Sequence, residues 1–379
     1  MKLAVFKDYG VGRYFAQLFD SIPDTTIFLS EKNKSGLNIT PHRVHLLTKK
    51  LQLRDYLESP LKAWRRFIEN DCDKKRDFFY REVERSAAQG EFDVALTGSD
   101  RSLHTLASLK AKGAKFKLVY WIPFTIPFVD MFDPRSLAIR QAAFPHVDMF
   151  VAITDTCRRV LLLEGIPERK IRHVYPGIDT ELFQPRQMPA KDDIFRILFV
   201  GKLVSWKGCY SLLYAAKELL SEIPDLELMF VGQGAQRKGL EQAAELLGLK
   251  NKVKFTGFIK YDALPEIYTQ SDAFVLPALP AINLAEQFGF VVAEAMACGL
   301  PAIVSRVGGL PEVVGGREEL IFTPGDFWEL ADRLRAIYRS RELAENLGKY
   351  CLDRARTHYD ARKNGLALKA ALEKLRQGV

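Results

Sequence analysis

The sequence predicts a doubly wound α/β protein with two domains, and three observations indicate this. The chain has 379 residues, which is more than one hydrophobic core usually covers. Short continuous apolar runs, such as RILFVG at 196–201, alternate with segments of helical periodicity, a pattern typical of parallel strands buried on both faces. Several runs end in glycine, and such sheets bind ligands beyond the carboxyl ends of their strands.

The second half of the chain shows this alternation most clearly. A helical pattern over residues 210–220 follows the first apolar run. Further strands are predicted within the runs LELMFVGQG (226–234), NKVKFTGF (251–258), DAFVLPA (272–278) and PAIVSRVGG (301–309). These runs are separated by amphipathic segments, so the second half predicts one complete parallel sheet covered by helices.

The first half repeats the pattern more loosely. Strands are predicted within KLAVF (2–6), FDVALTG (92–98), KFKLVYW (115–121), DMFVAIT (148–154) and KIRHVYPG (170–177). Prolines and polar residues cluster at 176–193 and indicate a domain boundary. We therefore expect a first domain at 1–185 and a second at 186–358, with a C-terminal amphipathic helix at 359–379 that is a candidate for packing back on the first domain.

Composition and spacing exclude several classes of protein. The five cysteines stand far apart without a CxxC pair, which indicates reduced thiols in a cytoplasmic protein rather than a disulfide framework or zinc site. The six histidines show no metal-binding spacing, so no metal and no cofactor is predicted. The N-terminus predicts a strand and a glycine turn rather than a signal peptide, and no uninterrupted apolar run is long enough to span a membrane.

Positive charge is concentrated near the N-terminus. The net charge is +8, and residues 32–66 contain nine Lys or Arg against Asp55 and Glu58. Together with the proline-broken apolar run at 118–132, this segment predicts either contact with an anionic membrane surface or ordinary solvated and buried elements, and both alternatives stay open. The basic excess lacks a recognisable nucleic-acid-binding module, so no nucleic-acid partner is predicted.

Two glycine-containing turns are candidates for binding phosphate. DYGVGRYFAQL places Gly12 between a strand and a helix, where backbone amides favour an anion, although such turns also use glycine for steric reasons alone. GKLVSWKG places Lys202 and Lys207 between Gly201 and Gly208 in a loop at the end of a strand. Two cations there suit a diphosphate, and the alternative is a pair of solvated surface lysines.

The stretch EQFGFVVAEAMACGLP, residues 286–301, has two glutamates in an apolar context. A helix is predicted from about residue 290 to 298, with Glu286 in the loop before it and Glu294 inside it. The amides near Gly289 suit an anion, and Glu286 suits sugar hydroxyls. A buried carboxylate needs a partner: for Glu294 this is either a ribose diol, a neighbouring backbone group or Arg306.

This stretch resembles the E-x7-E signature of the retaining glycosyltransferases of family 4, which have the GT-B fold. Other motifs stand in the order of that family: GVGRY, PGIDTELFQP, GKLVSWKG, FVGQG, KFTGF, SDAFVLP and VGGLPEVV. The resemblance is close from about residue 148 to 360 and thin before that. It implies two Rossmann-like domains with a cleft between them.

The resemblance also implies a role for each matching residue. Lys202 and Lys207, with Gly201 beside them, would bind the diphosphate of a nucleotide diphospho-sugar, and Gly12 its distal phosphate. The amides of Phe288 and Gly289 would receive the leaving phosphate. Glu294 would bind the ribose and Glu286 a hydroxyl of the sugar. Family members transfer the sugar with retention and without a required metal, and neither glutamate is implied as a nucleophile.

Three positions depart from the family pattern. Lys202 stands where arginine is most common, so charge is kept while bidentate phosphate binding is lost. Gln287 stands where glycine is usual. Trp121 stands near the position of a histidine that many members place beside the sugar; His104 is an alternative group on this acceptor side, or else an ordinary surface or core histidine.

The predicted function is therefore a cytoplasmic hexosyl transfer, peripheral at the inner face of the membrane, from a nucleotide-sugar donor to a glycan or lipid-linked acceptor. A GT-B phosphorylase or epimerase is a second hypothesis, which the paired lysines and the E-x7-E spacing argue against. A non-catalytic scaffold or nucleotide-sugar sensor is the alternative from a different class, and the departures at residues 202, 287 and 121 leave it open.

Overall fold

The structure is a computed structural model that describes residues 1–7, 13–30, 43–47, 83–185 and 193–378. The strands in these ranges are β1 Leu3–Lys7, β2 Thr25–Ser30, β3 Arg43–Leu47, β4 Val94–Thr97, β5 Lys117–Ile122, β6 Met149–Ala152, β7 Ile171–His173, β8 Phe195–Val200, β9 Leu226–Val231, β10 Val253–Gly257, β11 Ala273–Leu276, β12 Ala302–Ser305 and β13 Ile321–Phe322. The α-helices are α1 Arg13–Ala16, α2 Asp100–Ala111, α3 Pro134–Ala143, α4 Asp155–Leu163, α5 Cys209–Leu219, α6 Arg237–Leu246, α7 Leu264–Thr269, α8 Phe290–Ala297, α9 Leu310–Val313, α10 Phe327–Arg339, α11 Arg341–His358 and α12 Ala361–Gln377.

The strands form two parallel sheets. The first has the order β3-β2-β1-β4-β5-β6-β7 and the second the order β10-β9-β8-β11-β12-β13, with every pair parallel. In each sheet the strand order reverses once, between β1 and β4 and between β8 and β11. Ligands bind in doubly wound sheets at this switch point, so the loops that follow β8 and β11 have the position of a binding site.

The predicted fold class is confirmed, since each apolar run that we interpreted as a strand contains one. Their central residues are buried, as in β11 and β12, where all four residues are shielded from solvent. The sequence analysis did not predict β2, β3 or β13. β2 begins with two threonines, and β13 has only two residues, so neither shows the continuous apolar pattern that identified the others.

Two chain segments cross where the sheets meet. The Ile178 amide donates to the Tyr359 carbonyl at 2.7 Å, and the Ala361 amide donates to the Ile178 carbonyl at 3.0 Å. A Cβ on Gly177 would lie 2.1 Å from Cα of Ala361, so only glycine allows this approach. Residues 186–192, inside the predicted boundary region, lie outside the described ranges.

Helix α12 follows this crossing and contacts the first domain. Ser21 donates through its hydroxyl to the carbonyl of Arg362 at 3.2 Å. A Cβ on Gly365 would lie 2.3 Å from the carbonyl oxygen of Leu18, which shows how closely the helix lies against the segment after α1. Within the described ranges, no helix is both long and apolar enough to cross a membrane.

Candidate functional site

The loops after β8 and β11 bring together Lys207 and Glu286. The Lys207 ammonium donates to Oε2 of Glu286, and the two side chains are only 11% and 13% exposed. Nζ of Lys207 also lies 4.5 Å from the centroid of the Trp206 ring, a cation–π contact. Two oppositely charged side chains, both largely shielded from solvent, are thus held together at the switch point of the second sheet.

A glycine allows the Lys207 loop to reach this position. Residues Ser205–Lys207 form a single 3₁₀ turn, and Gly208 follows in the left-handed region with φ of 68°. A Cβ on Gly208 would lie 1.8 Å from the carbonyl oxygen of Pro277. The loop after β8 therefore packs directly on the backbone that follows β11.

Lys202 differs from Lys207 in its surroundings. It lies in the same loop but is exposed, whereas Lys207 is buried. The Gly201 amide before it donates to the carbonyl of Val231 at 2.9 Å, and a Cβ on Gly232 would lie 1.9 Å from the Gly201 carbonyl oxygen. Gly232 of the FVGQG motif therefore supports the loop that carries both lysines.

Two glycines of the VGGLPEVV motif hold the Glu286 loop. The Gly309 amide donates to the Glu286 carbonyl at 2.9 Å. A Cβ on Gly308 would lie 2.0 Å from that same oxygen, and a Cβ on Gly309 would lie 2.2 Å from the carbonyl oxygen of Gln287. The two glycines thus allow close backbone contact beneath Glu286, a role that the motif alone did not indicate.

Phe288 and Gly289 lie at the N-terminus of α8. Gly289 is the residue before the helix, has φ of 77°, and no side chain caps the first amides of the helix. Phe288 is buried, and its ring packs edge to face on Tyr359 with centroids 5.2 Å apart. Uncapped amides at a helix N-terminus attract anions through their N–H groups and the helix dipole.

Glu294 is on α8 and is 2% exposed. Its Oε2 accepts from the Tyr268 hydroxyl at 3.0 Å. Burial raises the pKa of Glu294 to about 7, and the Tyr268 hydrogen bond opposes that rise. The suggested pairing with Arg306 is wrong, because Arg306 pairs with Glu318 at 2.6 Å. The sequence analysis did not identify Tyr268, which lies 26 residues away in the chain.

The first-domain candidates have different surroundings. Trp121 is buried at the end of β5, and its ring packs edge to face on Phe15 at 6.3 Å. His104 is half-buried on α2. Gly12 lies outside the described residues. Among the predicted site residues, Lys207 and Glu286 of the second domain are the pair that the structure brings into direct side-chain contact.

The sequence analysis also missed Thr125, in the loop after β5. Its hydroxyl oxygen is buried and has no hydrogen-bond partner in the part of the chain that the structure describes. This oxygen would lie 3.1 Å from a Cβ on Gly308, so it faces the second domain beside the Glu286 loop. A buried hydroxyl without a partner is costly, which makes Thr125 a candidate for contact with a polar ligand.

Glu312 of α9 links the two domains. Its Oε1 accepts from the Asp155 amide at 2.7 Å and from the Tyr175 hydroxyl at 2.9 Å, and its Oε2 accepts from the Thr156 amide at 3.1 Å. Asp155 and Thr156 begin α4, so a carboxylate of one domain caps a helix of the other. The sequence did not indicate this contact, because Glu312 and the start of α4 are far apart in the chain and meet only in the folded protein.

Two family descriptions match this chain. Residues 36–182 match Glycosyltransferase Family 4, and residues 181–354 match Glycosyl transferases group 1. The two matched segments together extend over residues 36–354, so each half of the chain is similar to a glycosyltransferase family, on a fold of two parallel sheets of the GT-B type. Among the described residues, no group of three or more His, Cys, Asp or Glu side chains is placed to hold a metal ion.

Individual relatives agree with that class. An uncharacterized glycosyltransferase of Methanocaldococcus jannaschii is 36% identical over 190 residues, which are 45% of this chain and 47% of that protein. The GDP-mannose-dependent alpha-(1-6)-phosphatidylinositol monomannoside mannosyltransferase of Mycolicibacterium smegmatis is 34% identical over 158 residues, 39% of this chain and 41% of that protein. The chain thus spans less than half the length of these relatives.

A solved structure is similar over the whole chain. The Anabaena HepE protein in complex with UDP has a TM-score of 0.79 and 20% identity, with 99% of this chain and 100% of that chain covered. At this level of identity the similarity establishes the fold.

A glycine substitution tests the contact between the loops after β8 and β11. Gly208→Ala should destabilise the second domain by well over the about 1–2 kcal/mol that a left-handed alanine costs, since its Cβ would meet the Pro277 carbonyl. Gly316→Ala is the matched control, because Gly316 has the same φ of 68° and nothing within 4 Å of its Cβ position. Thermal unfolding of both variants is the measurement, and equal losses would contradict the proposed close contact.

The pKa of Glu294 predicts how stability depends on pH. Folded Glu294 keeps its proton up to about pH 7, whereas a free glutamate releases it near 4.5, so ligand-free stability should fall as pH rises between these values, by roughly 3 kcal/mol. Glu294→Gln should therefore raise the melting temperature at pH 8 and change it little at pH 5. Glu218→Gln, at an exposed position on α5, is the control; a gain for Glu294→Gln that does not vary with pH would refute the prediction.

Proposed function

We propose that this chain is a retaining glycosyltransferase that moves a hexose from a nucleotide diphospho-sugar to a glycan or lipid-linked acceptor without a required metal. The observation that carries the proposal is the buried pair of Lys207 and Glu286 beside the uncapped N-terminus of α8. Cation, carboxylate and helix amides converge there at the switch point of the sheet. This combination suits a ligand with both a diphosphate and hydroxyl groups.

In the ligand-free protein, Lys207 and Glu286 neutralise one another. A diphosphate entering the site would draw the Lys207 ammonium toward its oxygens, with Lys202 adding charge from the exposed side of the loop. Glu286 would then be available to accept from a hydroxyl of the sugar. Each charge thus has a partner before and after binding, which avoids leaving a half-buried charge unpaired.

The chemistry follows from charge that develops on the leaving group. As the bond from the anomeric carbon to the phosphate oxygen breaks, negative charge grows on the diphosphate, and Lys207 and the amides near Gly289 stabilise it. The departing phosphate oxygen takes the proton of the acceptor hydroxyl, whose oxygen bonds to the anomeric carbon on the same face. Glu286 is not the nucleophile in this scheme, because the acceptor oxygen forms the bond to the anomeric carbon while the Glu286 carboxylate accepts from a hydroxyl of the sugar.

The first domain contributes the acceptor side of the cleft. We assign Thr125 a contact with a sugar or acceptor hydroxyl, supported by its unpartnered oxygen opposite the Glu286 loop. Trp121 and His104 stay weaker candidates. Trp121 is buried against Phe15, so any effect on the ligand would pass through the wall of the cleft.

An acceptor at an anionic membrane surface has two supports. The mycobacterial relative is named for a phosphatidylinositol-linked acceptor. The loop after β5 also exposes Phe128 and Met131, by 50% and 63%, and Phe128 has an uncommon positive φ of 52°. The basic segment 32–66, except the backbone of β3, lies outside the described residues. We propose a cytoplasmic protein that associates peripherally with the inner face of the membrane.

A ligand panel tests the donor assignment. Thermal unfolding is measured with UDP, GDP, ADP and their sugar conjugates, each with and without EDTA. Because a bound ligand stabilises the fold by mass action, a selective rise in melting temperature identifies the base. A rise that persists in EDTA is expected if lysines rather than a metal neutralise the diphosphate, and a rise abolished by EDTA would overturn metal independence. Binding without sugar release or transfer would favour the nucleotide-sugar sensor.

Substitution of Lys207 tests the catalytic assignment. Lys207→Met should lower kcat by about 10²–10³-fold, the usual effect of removing one group that stabilises developing negative charge. The double variant Lys207→Met/Glu286→Gln removes both charges and so separates turnover from the instability of an unpaired glutamate. Lys217→Met, at an exposed position on α5, is the control. Transfer at the parental rate by the folded double variant would exclude this pair from the mechanism.

A further inference from the structure

Tyr268 of α7 and Glu294 of α8 form a buried pair. The Tyr268 hydroxyl lies 3.0 Å from Oε2 of Glu294 and 3.3 Å from the carbonyl oxygen of Val291. Both of these oxygens are acceptors when Glu294 is ionised, and a phenol has one proton to donate. The shorter distance is to the carboxylate, so the proton of Tyr268 is directed there.

The ring of Tyr268 is fixed in place by other rings. Phe183 packs against it edge to face at 5.9 Å, and the Phe274 ring lies at the same distance on β11. Tyr268 itself is fully buried. A hydroxyl on a ring held in this way cannot follow a moving carboxylate, so it defines where Oε2 of Glu294 must lie.

The second oxygen of the Glu294 carboxylate, Oε1, is not the atom that Tyr268 contacts. The Tyr268 hydroxyl contacts Oε2 instead, and the Glu294 residue is 2% exposed. α8 begins at the amides proposed to bind the leaving phosphate, and Glu294 lies one turn further along it. A carboxylate whose Oε2 is anchored in this way has a second oxygen with the lone pairs to accept from a diol.

We propose that Tyr268 is a positioning residue for donor binding: it anchors one oxygen of Glu294 so that the other oxygen is placed to accept from the ribose of the nucleotide. This inference rests on the proposed function, because it assumes a nucleotide donor. It adds a residue that touches no substrate and acts only through Glu294.

The surroundings of the pair are consistent with this role. Burial and the Tyr268 hydrogen bond are the two influences on the pKa of Glu294, the first raising it and the second lowering it. Besides Glu294, the titratable groups that face Tyr268 are the Cys298 thiol just after α8 and the phenol of Tyr261 just before α7. With no cation to hold the charge in these contacts, the Tyr268 hydroxyl is the group that favours the ionised carboxylate.

The test measures the affinity of the full chain for the nucleoside diphosphate selected by the panel above, by calorimetry from about pH 6 to 9. For the parent, affinity should rise with pH as Glu294 ionises. Tyr268→Phe should weaken binding at pH 7 by roughly ten- to hundredfold, the worth of a hydrogen bond to a charged group, and binding should recover at higher pH. Glu294→Gln should bind weakly without this pH dependence, and adding Tyr268→Phe to it should cost little more.

Three controls separate positioning from a purely structural effect. Tyr261→Phe removes a hydroxyl from the same cluster, where Tyr261 packs on Phe183 at 5.1 Å, and should leave the pH profile unchanged. A 2′,3′-dideoxynucleoside diphosphate should bind the parent and Tyr268→Phe equally weakly. If Tyr268→Phe fails to fold, 3-fluorotyrosine in place of Tyr268 keeps the shape with a stronger donor, and should move the profile to lower pH.

The outcomes of these measurements distinguish the positioning role of Tyr268 from a structural role. A loss in Tyr268→Phe that is the same at every pH, or that extends equally to the dideoxynucleotide, would show a structural role and overturn the inference, as would unchanged binding. Absence of nucleotide binding by the parent chain at any pH would instead overturn the proposed function, and the inference with it.

Discussion

The ion pair of Lys207 and Glu286 is the interaction on which the candidate site depends. Burying two charges is costly, and their mutual attraction offsets that cost only if the geometry is held firmly. The pair contributes little net stability by this reasoning, so its value lies elsewhere. It keeps a cation and a carboxylate desolvated and oriented before a ligand arrives, and a preorganised environment of this kind is what stabilises charge developing in a reaction.

Close backbone contacts at glycines hold the pair in position. Gly208 lets the lysine loop meet the chain after β11, and Gly308 with Gly309 lets a third loop support Glu286 from beneath. A Cβ at any of these positions would fall within about 2 Å of a carbonyl oxygen. The three loops belong to neighbouring strands, β8, β11 and β12, so the site is a direct product of strand order. The glycines of these motifs therefore allow the loops to pack closely on one another, in addition to being candidates for phosphate-binding turns.

Much of this arrangement could be predicted from the sequence, and the reason is physical. Strands such as β11 are buried on both faces, so their continuous apolar runs are visible without knowledge of the partners. The helix of Glu294 was predictable because Gly299 and Pro301 end it. Tyr268, Thr125 and Glu312 were not, because each reaches the site only through contacts with residues distant in the chain. Arg306 illustrates the same limit, since its true partner Glu318 was as near in sequence as the one suggested.

The contact of Glu312 explains why the site and the domain arrangement are coupled. Gly308, Gly309 and Glu312 belong to one short segment that begins beneath the Glu286 loop and ends at α4 of the first domain. Tyr175, which donates to Glu312, also packs edge to face on Tyr359 at the crossing between domains. Movement of one domain relative to the other would therefore shift the support of Glu286 directly.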